Sequence, residues 1–167
     1  MSTRSESRPA SPATMRLKRI RDVAELHVHS AIDRAVEVAQ IAAPTNDEHE
    51  RSRFVSASLS QTGHASVTVD EIGDVVTRIP GKDRSRAVLL AAHLDTVFPR
   101  GTPVEIIRSN GRISGPGIGD NSLGVASVMS ILEILEELGE TPAVDLLITG
   151  NVGEEGLGNL RGMRAVM

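Results

Sequence analysis

Residues 87–94 read AVLLAAHL, an apolar run between the charged segment Lys82–Arg86 and the carboxylate of Asp95. A run of this kind is typical of a central strand that is covered on both faces. A second run, VDLLIT at 144–149, predicts another buried strand. Apolar residues at helical spacing precede, separate and follow these strands. The order of elements therefore predicts an α/β layered domain with a mixed sheet.

The segments around these strands carry their own start and stop signals. Apolar residues recur at helical spacing over 15–42, and Pro44 ends that helix. Thr45 and Glu48 form a capping-box pattern that opens a second helix, which Gly63 closes. Further elements are predicted as short strands at 65–69 and 74–79, a hairpin around Asn110-Gly111, a helix over Asn121–Leu138 ended by Gly139, and a helix from Asn159 onward.

Composition limits the chemistry that the chain can perform. The 167 residues carry 18 Lys plus Arg against 22 Asp plus Glu, a formal net charge of −4, and include no cysteine. The absence of cysteine excludes disulfides, thiolate metal ligands and a cysteine nucleophile. The acidic balance argues against a nucleic-acid partner, which needs a basic face. Metal chemistry would therefore rest on carboxylates and the five histidines.

The N-terminal residues 1–14 are rich in Ser, Arg and Pro and contain no apolar run. They predict a disordered tail, with the folded domain spanning 15–167. The tail lacks the apolar stretch of a secretory signal, and no segment is expected to approach the ~20 apolar residues of a membrane span. We therefore expect a cytoplasmic protein without a membrane partner.

His93 and Asp95 stand at the end of the first apolar strand. Residues two apart on a strand share a face, so the two side chains project together. Open α/β sheets bind ligands at the carboxyl ends of their strands, and a carboxylate can hold one nitrogen of an imidazole whose other nitrogen binds a metal. The alternative is a structural histidine, with Asp95 capping a turn.

Residues 114–124 read SGPGIGDNSLG, a Gly-rich loop that leads into a helix. The loop lacks the Gly-Lys-Ser/Thr of a P-loop and the glycine spacing of a dinucleotide site, which argues against nucleotide binding. Asp120 lies where the loop becomes helix, and a helix N-terminus helps to keep a carboxylate ionised, as a metal ligand must be. The alternative is that Asp120 or Asn121 is an N-cap.

Residues 151–158 read NVGEEGLG and directly follow the second apolar strand. In extended backbone the side chains of Glu154 and Glu155 point in opposite directions, so one could bind a metal while the other faces a bound water. The alternative is a solvated acidic turn. Together, the three places predict a carboxylate-rich hydrolytic metal site, in which Asp120 is the natural bridge between two metals.

The motifs HLDTVFP (93–99), GPGIGDNSLGVA (115–126) and GNVGEEGLGNLRG (150–162) resemble those of the dinuclear zinc exopeptidases and deacylases. This family includes peptidase T, glutamate carboxypeptidase, acetylornithine deacetylase, succinyl-diaminopimelate desuccinylase and aminoacylase. The resemblance extends from about Leu26 to the end and includes the stretches APTNDEHE (43–50) and DEIGDVV (70–76). It implies the N-terminal part of a three-layer α/β/α catalytic domain.

The resemblance also implies a role for each candidate residue. By position, His93 resembles a ligand of one metal, Asp95 the residue that orients this histidine, and Asp120 the carboxylate that bridges both metals and precedes a cis peptide bond. Glu154 resembles the general base that activates the bridging water, and Glu155 the ligand of the other metal. The implied reaction is hydrolysis of an amide bond in a short peptide or N-acyl amino acid with two Zn²⁺ ions, and Co²⁺ or Mn²⁺ would suit the same ligands.

The sequence departs from the family pattern after the glutamate pair. The family has a further acidic ligand and a second histidine, whereas residues 156–167 contain no Asp, Glu, His or Cys. The family's lid domain, which implies a homodimer of the complete protein, has no counterpart either. The remaining histidines, His27, His29, His49 and His64, stand in settings that do not favour metal binding.

We therefore expect a chain with three of five ligands to be inactive alone. A non-catalytic fragment or interaction module is the alternative. An incomplete sheet should also leave a strand edge and apolar surface uncovered. We accordingly expect poor solubility or partner-dependent folding.

Overall fold

The structure is a computed structural model and describes residues 11–62 and 66–167, so the predicted helix stop at Gly63 and the nearby His64 lie outside the described residues. The helices and strands within these ranges are, in chain order, α1 Pro12–Leu26, α2 Val28–Gln40, α3 His49–Ser60, β1 Ser66–Val69, β2 Val75–Ile79, β3 Asp83–His93, β4 Ile107–Ser109, β5 Arg112–Ser114, α4 Leu123–Leu138, β6 Val144–Asn151 and α5 Arg161–Val166.

Four strands form the main sheet in the order β1-β2-β6-β3. β2 is antiparallel to both β1 and β6, whereas β3 and β6 are parallel, with His93 opposite Asn151. Parallel neighbours need a crossover connection, and α4 lies in the segment that joins β3 to β6. Strands β4 and β5 form a separate hairpin around Asn110-Gly111, as the sequence predicts. The predicted α/β class with a mixed sheet is confirmed.

The core lies between one face of the sheet and the helices α2, α3 and α4. Alternate residues of the strands point into it, because successive side chains of a strand face opposite sides. The fully buried members of this core include Val38, Val55, Val75, Val125 and Ile148. Helix α1 packs against α4 and α2 at the outside of the same layer. The four long helices therefore form one layer on the sheet.

Strand β3 is an edge strand, which corrects the prediction of a central strand covered on both faces. Val88 is 45% exposed and Leu89 is 36% exposed. An apolar run indicates that burial of the strand is favourable, but whether the strand is covered depends on helices and strands from other parts of the chain. Val88 and Leu89 point to opposite faces of the strand, so this part of β3 is open on both faces, whereas Leu90 and Ala92 further along the strand pack against the core.

The helix predicted over 15–42 is divided in two at His27. Helix α1 begins at Pro12, because Ser11 accepts a hydrogen bond from the backbone N–H of Thr14 (3.2 Å) and proline suits the first helical turn. Residues 12–14 are thus helical rather than part of a disordered tail, and residues 1–10 lie outside the described ranges. The ring of His27 contacts Glu137 of α4 at 2.8 Å, which ties the joint between α1 and α2 to the core helix.

The capping box predicted at the start of α3 is not formed. Helix α3 begins at His49, whereas the hydroxyl of Thr45 donates to Asp95 Oδ2 at 2.9 Å. The carboxylate of Glu48 accepts the backbone N–H groups of Gly153 at 3.0 Å and Asn46 at 2.9 Å, whereas the N–H of Thr45, which a capping box would satisfy, donates to the backbone oxygen of Thr96. Buried polar groups in neighbouring loops need partners, and these two side chains supply them.

Helix α4 ends at Gly139 in the left-handed region (φ 61°), as predicted. Together with the turn before it, α4 forms the 21-residue stretch Ile118–Leu138, which is long and apolar enough to cross a membrane. The expectation that no segment approaches this length is therefore wrong for this stretch. Its composition has a structural reason, because α4 packs against the three other long helices and the sheet.

Candidate metal centre

The carboxyl ends of the parallel strands β3 and β6 meet at one edge of the sheet. His93 ends β3, and the loop after β6 carries Glu154 and Glu155. The segment Ile118–Ser122, whose backbone is not helical at Asp120 and Asn121, brings Asp120 to the same edge, where its carboxylate contacts His93. The structure thus brings together side chains that are up to 62 positions apart in the sequence, counting from His93 to Glu155.

The imidazole of His93 is held at both nitrogens. Nδ1 lies 3.1 Å from the backbone oxygen of Asp95 and 3.5 Å from its Oδ1, while Nε2 lies 2.9 Å from Asp120 Oδ1. Burial favours the neutral ring, but the hydrogen bonds with Asp95 and Asp120 outweigh it and raise the pKa of His93 to about 9. A metal ligand must be deprotonated, so a cation binding here would replace this proton.

Asp95 connects the two strand ends through its buried carboxylate. Oδ1 accepts the backbone N–H of Glu154 at 2.9 Å, and Oδ2 accepts that of Glu155 at 3.0 Å together with the Thr45 hydroxyl. Burial alone would raise the pKa of Asp95, but the hydrogen bonds with His93 and the two N–H groups hold it well below its usual range. Asp95 is therefore ionised, and it fixes both the histidine and the glutamate pair.

His93, Glu154 and Glu155 each offer a ligand atom, and these atoms all lie within 4.8 Å of one another. The carboxylates of both glutamates thus lie near the same imidazole, whereas an extended backbone predicts that they point in opposite directions. Burial and repulsion from the carboxylates of Glu154 and Asp120 raise the pKa of Glu155. A bound cation would relieve this repulsion.

The peptide bond between Asp120 and Asn121 is cis, as the resemblance implies. Helix α4 has Ser122 at its N-cap position, without a side-chain capping hydrogen bond. Neither Asp120 nor Asn121 is therefore the N-cap. The carboxylate of Asp120 is largely exposed and contacts His93 instead. This position leaves its oxygens accessible to a ligand on the open side of the site.

The donor set fits a cation such as Zn²⁺, which binds imidazole nitrogen and carboxylate oxygen. Two other histidines have partners away from the centre: His27 contacts Glu137, and the exposed His49 contacts Asp47 at 2.9 Å.

The buried groups that hold the loops of the centre are not predicted from the sequence. Four successive backbone N–H groups, at 152–155, each donate to a buried carboxylate: the first to Asp74 (2.8 Å), the second to Glu48 (3.0 Å) and the last two to Asp95. Glu48 and Asp74 lie in the two stretches, 43–50 and 70–76, that belong to the family resemblance. That resemblance is the signal that could have found them.

Arg51 is a buried cation beneath the centre. Its Nη1 donates to the backbone oxygen of Leu94 at 2.7 Å and its Nη2 to that of Ile41 at 2.6 Å. Burial lowers the pKa of Arg51 to about 10, and the charge of Asp95 opposes this effect. Arg51 thereby holds the strand end between His93 and Asp95. No local pattern marks it, because an arginine in a polar helix is usually exposed.

The model of peptidase family M28 matches residues 74–166 of the chain. The chain is also 28% identical over 125 residues to the uncharacterized protein YgeY of Escherichia coli (strain K12), a match that covers 71% of this chain and 30% of that protein. The chain thus spans about 30% of the length of this curated relative.

Solved structures of peptidases share the fold. Aminopeptidase PepT from Bacillus cereus has a TM-score of 0.65 at 22% identity, covering 75% of this chain and 36% of that chain. Human carnosine dipeptidase 1 has a TM-score of 0.68 at 16% identity, covering 91% of this chain and 36% of that chain. At these identities the likeness establishes the architecture, and it agrees with the α/β class derived from the strands and helices.

Proposed function

The chain belongs to peptidase family M28, and from that premise we propose that it carries part of the metal centre of a zinc-dependent hydrolase. The proposed reaction is hydrolysis of an amide bond in a short peptide or an N-acyl amino acid. The observation that supports it is the convergence of one imidazole and two glutamates within 4.8 Å, with Asp120 2.9 Å from the same imidazole.

In the proposed centre, His93 and Glu155 would each hold a zinc ion, and Asp120 would supply a carboxylate ligand to the same centre. When bound, zinc polarises the scissile carbonyl and lowers the pKa of water at the site. The same donors would accept Co²⁺ or Mn²⁺. His93 presents Nε2 to the ion because Asp95 holds Nδ1, which fixes the orientation of the ring.

Glu154 is the proposed general base. It stands beside Glu155 at the open side of the site and is exposed, so water and substrate can reach its carboxylate. Glu154 accepts the proton of the attacking water and can return it to the departing nitrogen. Its backbone N–H is fixed by Asp95, which limits the positions that its side chain can occupy.

His93, Asp120 and Glu155 are three of the five ligands that the family resemblance implies. We therefore propose that this chain alone binds at most one ion and has no measurable turnover. The activity would belong to a longer protein of the size of its relatives. That protein is proposed to be cytoplasmic and homodimeric, with no nucleic-acid or membrane partner.

Titration of the chain with Zn²⁺ tests the metal site directly. The chain should bind one ion weakly, and Asp120→Ala should abolish binding because it removes a carboxylate from a small donor set. Asp33→Asn is a matched control, since Asp33 is an exposed carboxylate paired with Arg108 in another part of the fold. Loss of affinity in the control, or no binding by the unmodified chain, would contradict the proposed site.

Binding of two Zn²⁺ ions together with cleavage of dipeptides or N-acetyl amino acids would contradict the proposed lack of activity.

The exposed edge of β3 favours a second candidate function, that of an interaction module. An open strand can accept a strand from a partner through backbone hydrogen bonds. Zn²⁺ binding that Asp120→Ala abolishes would favour the metal centre over this candidate, because an interaction module of this kind needs no metal.

A further inference from the structure

Gly153, the residue before the glutamate pair, is held on three sides. Its N–H donates to Glu48 Oε1 at 3.0 Å, and its carbonyl accepts the backbone N–H of Arg161 at 3.2 Å. The guanidinium covers the third side, since a Cβ added at Gly153 would lie 2.0 Å from Arg161 Nη1. The left-handed backbone of this glycine is thus enclosed by Glu48, which is 105 positions away in the sequence, and by the nearby Arg161.

Glu48 and Arg161 form an ion pair over this glycine. Nη2 of Arg161 lies 3.0 Å from Oε1 and 2.9 Å from Oε2 of Glu48, and Nη1 donates to Asn46 Oδ1 at 2.7 Å. The side chain of Glu48 is only 4% exposed, and Oε1 also accepts the N–H of Asn46 at 2.9 Å. Ionised hydrogen-bond partners in a site shielded from water are strong, and the planar guanidinium adds geometric specificity.

The pair acts on the candidate centre only through the backbone. Neither Glu48 nor Arg161 belongs to the cluster of donors within 4.8 Å. Glu48 instead fixes the N–H of Gly153, and Asp95 fixes the next two N–H groups along the chain. Two buried carboxylates therefore hold three successive amides, and the glutamate side chains leave the loop from a backbone that these contacts define.

We propose that Glu48, supported by Arg161, is a positioning residue for the metal centre. It fixes Gly153 and thereby sets where the carboxylates of Glu154 and Glu155 meet His93. The inference rests on the proposed metal site. Residues that orient metal ligands from outside the ligand set typically contribute 10–100-fold to metal affinity or activity.

The test measures the Co²⁺ affinity of the chain by competition with a chromophoric chelator. Glu48→Leu should raise the dissociation constant by about 10–100-fold, and Arg161→Met by about 10-fold. Glu48→Gln keeps an acceptor for Gly153 but loses the charge that holds Arg161, so its affinity should fall between those of Glu48→Leu and the unmodified chain. Asp33→Asn, which breaks an exposed pair elsewhere, should bind as the unmodified chain does.

Amide hydrogen exchange supplies a readout that does not depend on metal. Protection at 152–155 should fall in the Glu48 and Arg161 variants, while the amides of β3 and β6 stay protected. If Glu48→Leu fails to fold, Glu48→Gln and Arg161→Met still decide the question. Their far-UV circular dichroism reports whether the fold is retained.

The outcomes separate the inference from the proposed function. Unchanged Co²⁺ affinity in Glu48→Gln and Arg161→Met, with lower melting temperatures, would show that the pair stabilises the fold without positioning the metal centre. That result would overturn the inference and leave the proposed metal site standing. No Co²⁺ binding by the unmodified chain would overturn the proposed metal site and the inference with it. Weaker binding in both variants, with the control unaffected, supports the positioning role.

Discussion

Asp95 makes more contacts with the centre than any local pattern indicates. The spacing of His93 and Asp95 on one strand predicts that the two interact, and the structure places them in contact. The contacts of the same carboxylate with Thr45 and with the N–H groups of Glu154 and Glu155 come from other parts of the chain. An aspartate at a strand end can play several structural roles. The role of Asp95 is therefore defined by its hydrogen-bond partners in the folded chain.

Glu154→Ala is expected to abolish turnover in a form of the protein that carries all five expected ligands, with metal content near that of the unmodified form. The proton acceptor would be lost while the proposed ligands stay, and a loss of about 10²–10⁴-fold in kcat is typical of a general base. Kinetics on a dipeptide and metal analysis of the same sample measure both quantities.

Glu155→Ala is the matched variant, and it should lose metal as well as turnover. The carboxylates of both residues lie in the donor cluster with His93. Retention of metal by Glu155→Ala and its loss in Glu154→Ala would therefore mean that the two roles are exchanged.

At the scale of the elements, patterns within a few residues predict most strands and helices. The strands at 66–69, 75–79 and 144–151, the hairpin at Asn110-Gly111 and the glycine that ends α4 all follow from such patterns. The break at His27 and the unformed capping box do not, because contacts with α4 and with the loop after β6 compete with the local signals. Local preferences are weak enough for a few tertiary contacts to override them.

Asp145 of β6 connects this strand to β2 and to the segment between β2 and β3, and its charge should make the stability of the fold depend on pH. Its carboxylate in β6 accepts the N–H of Gly81 at 2.6 Å and the Nε of Arg78 in β2 at 2.7 Å. The hydrogen bond from Gly81, followed by that from Arg78, lowers the pKa of Asp145 from its ordinary 3.8. A lowered pKa means that the ionised form stabilises the fold, and this contribution is lost as the pH falls below about 4.

Asp145→Asn should therefore lower the melting temperature at pH 7, and the difference from the unmodified chain should shrink towards pH 2.5. Thermal melts followed by circular dichroism at the two pH values measure the effect. Asp22→Asn is the control, because Asp22 is exposed and pairs with Lys18 within α1. An equal destabilisation by Asp145→Asn at both pH values would show that its charge does not contribute.

At the scale of the whole molecule, the open side of the sheet determines how the chain should behave in solution. β3 presents an unpaired edge, and Val88 and Leu89 expose apolar surface there. Open edges and apolar patches of this kind promote association. The chain alone should therefore be poorly soluble or associate with increasing concentration, as measured by size-exclusion chromatography.

Leu89→Lys should increase the soluble fraction, because a lysine on an exposed edge strand opposes edge-to-edge pairing. Lys18→Glu in α1 changes a surface charge away from this edge and serves as the control. A soluble monomer of the unmodified chain that melts in one sharp cooperative transition would contradict the prediction.

The sequence by itself determined the α/β class, the three polar segments at strand ends and loops, and the residue types that suit a zinc-like cation. These features depend on periodicity and on short motifs, which are properties of neighbouring residues. Only the tertiary structure decided that β3 lies at the edge, that both glutamates converge on His93, and that Glu48, Asp74 and Arg51 hold the loops from below. The physical reason is that a buried polar group must find a partner wherever the fold places one, and that partner is often distant in the sequence.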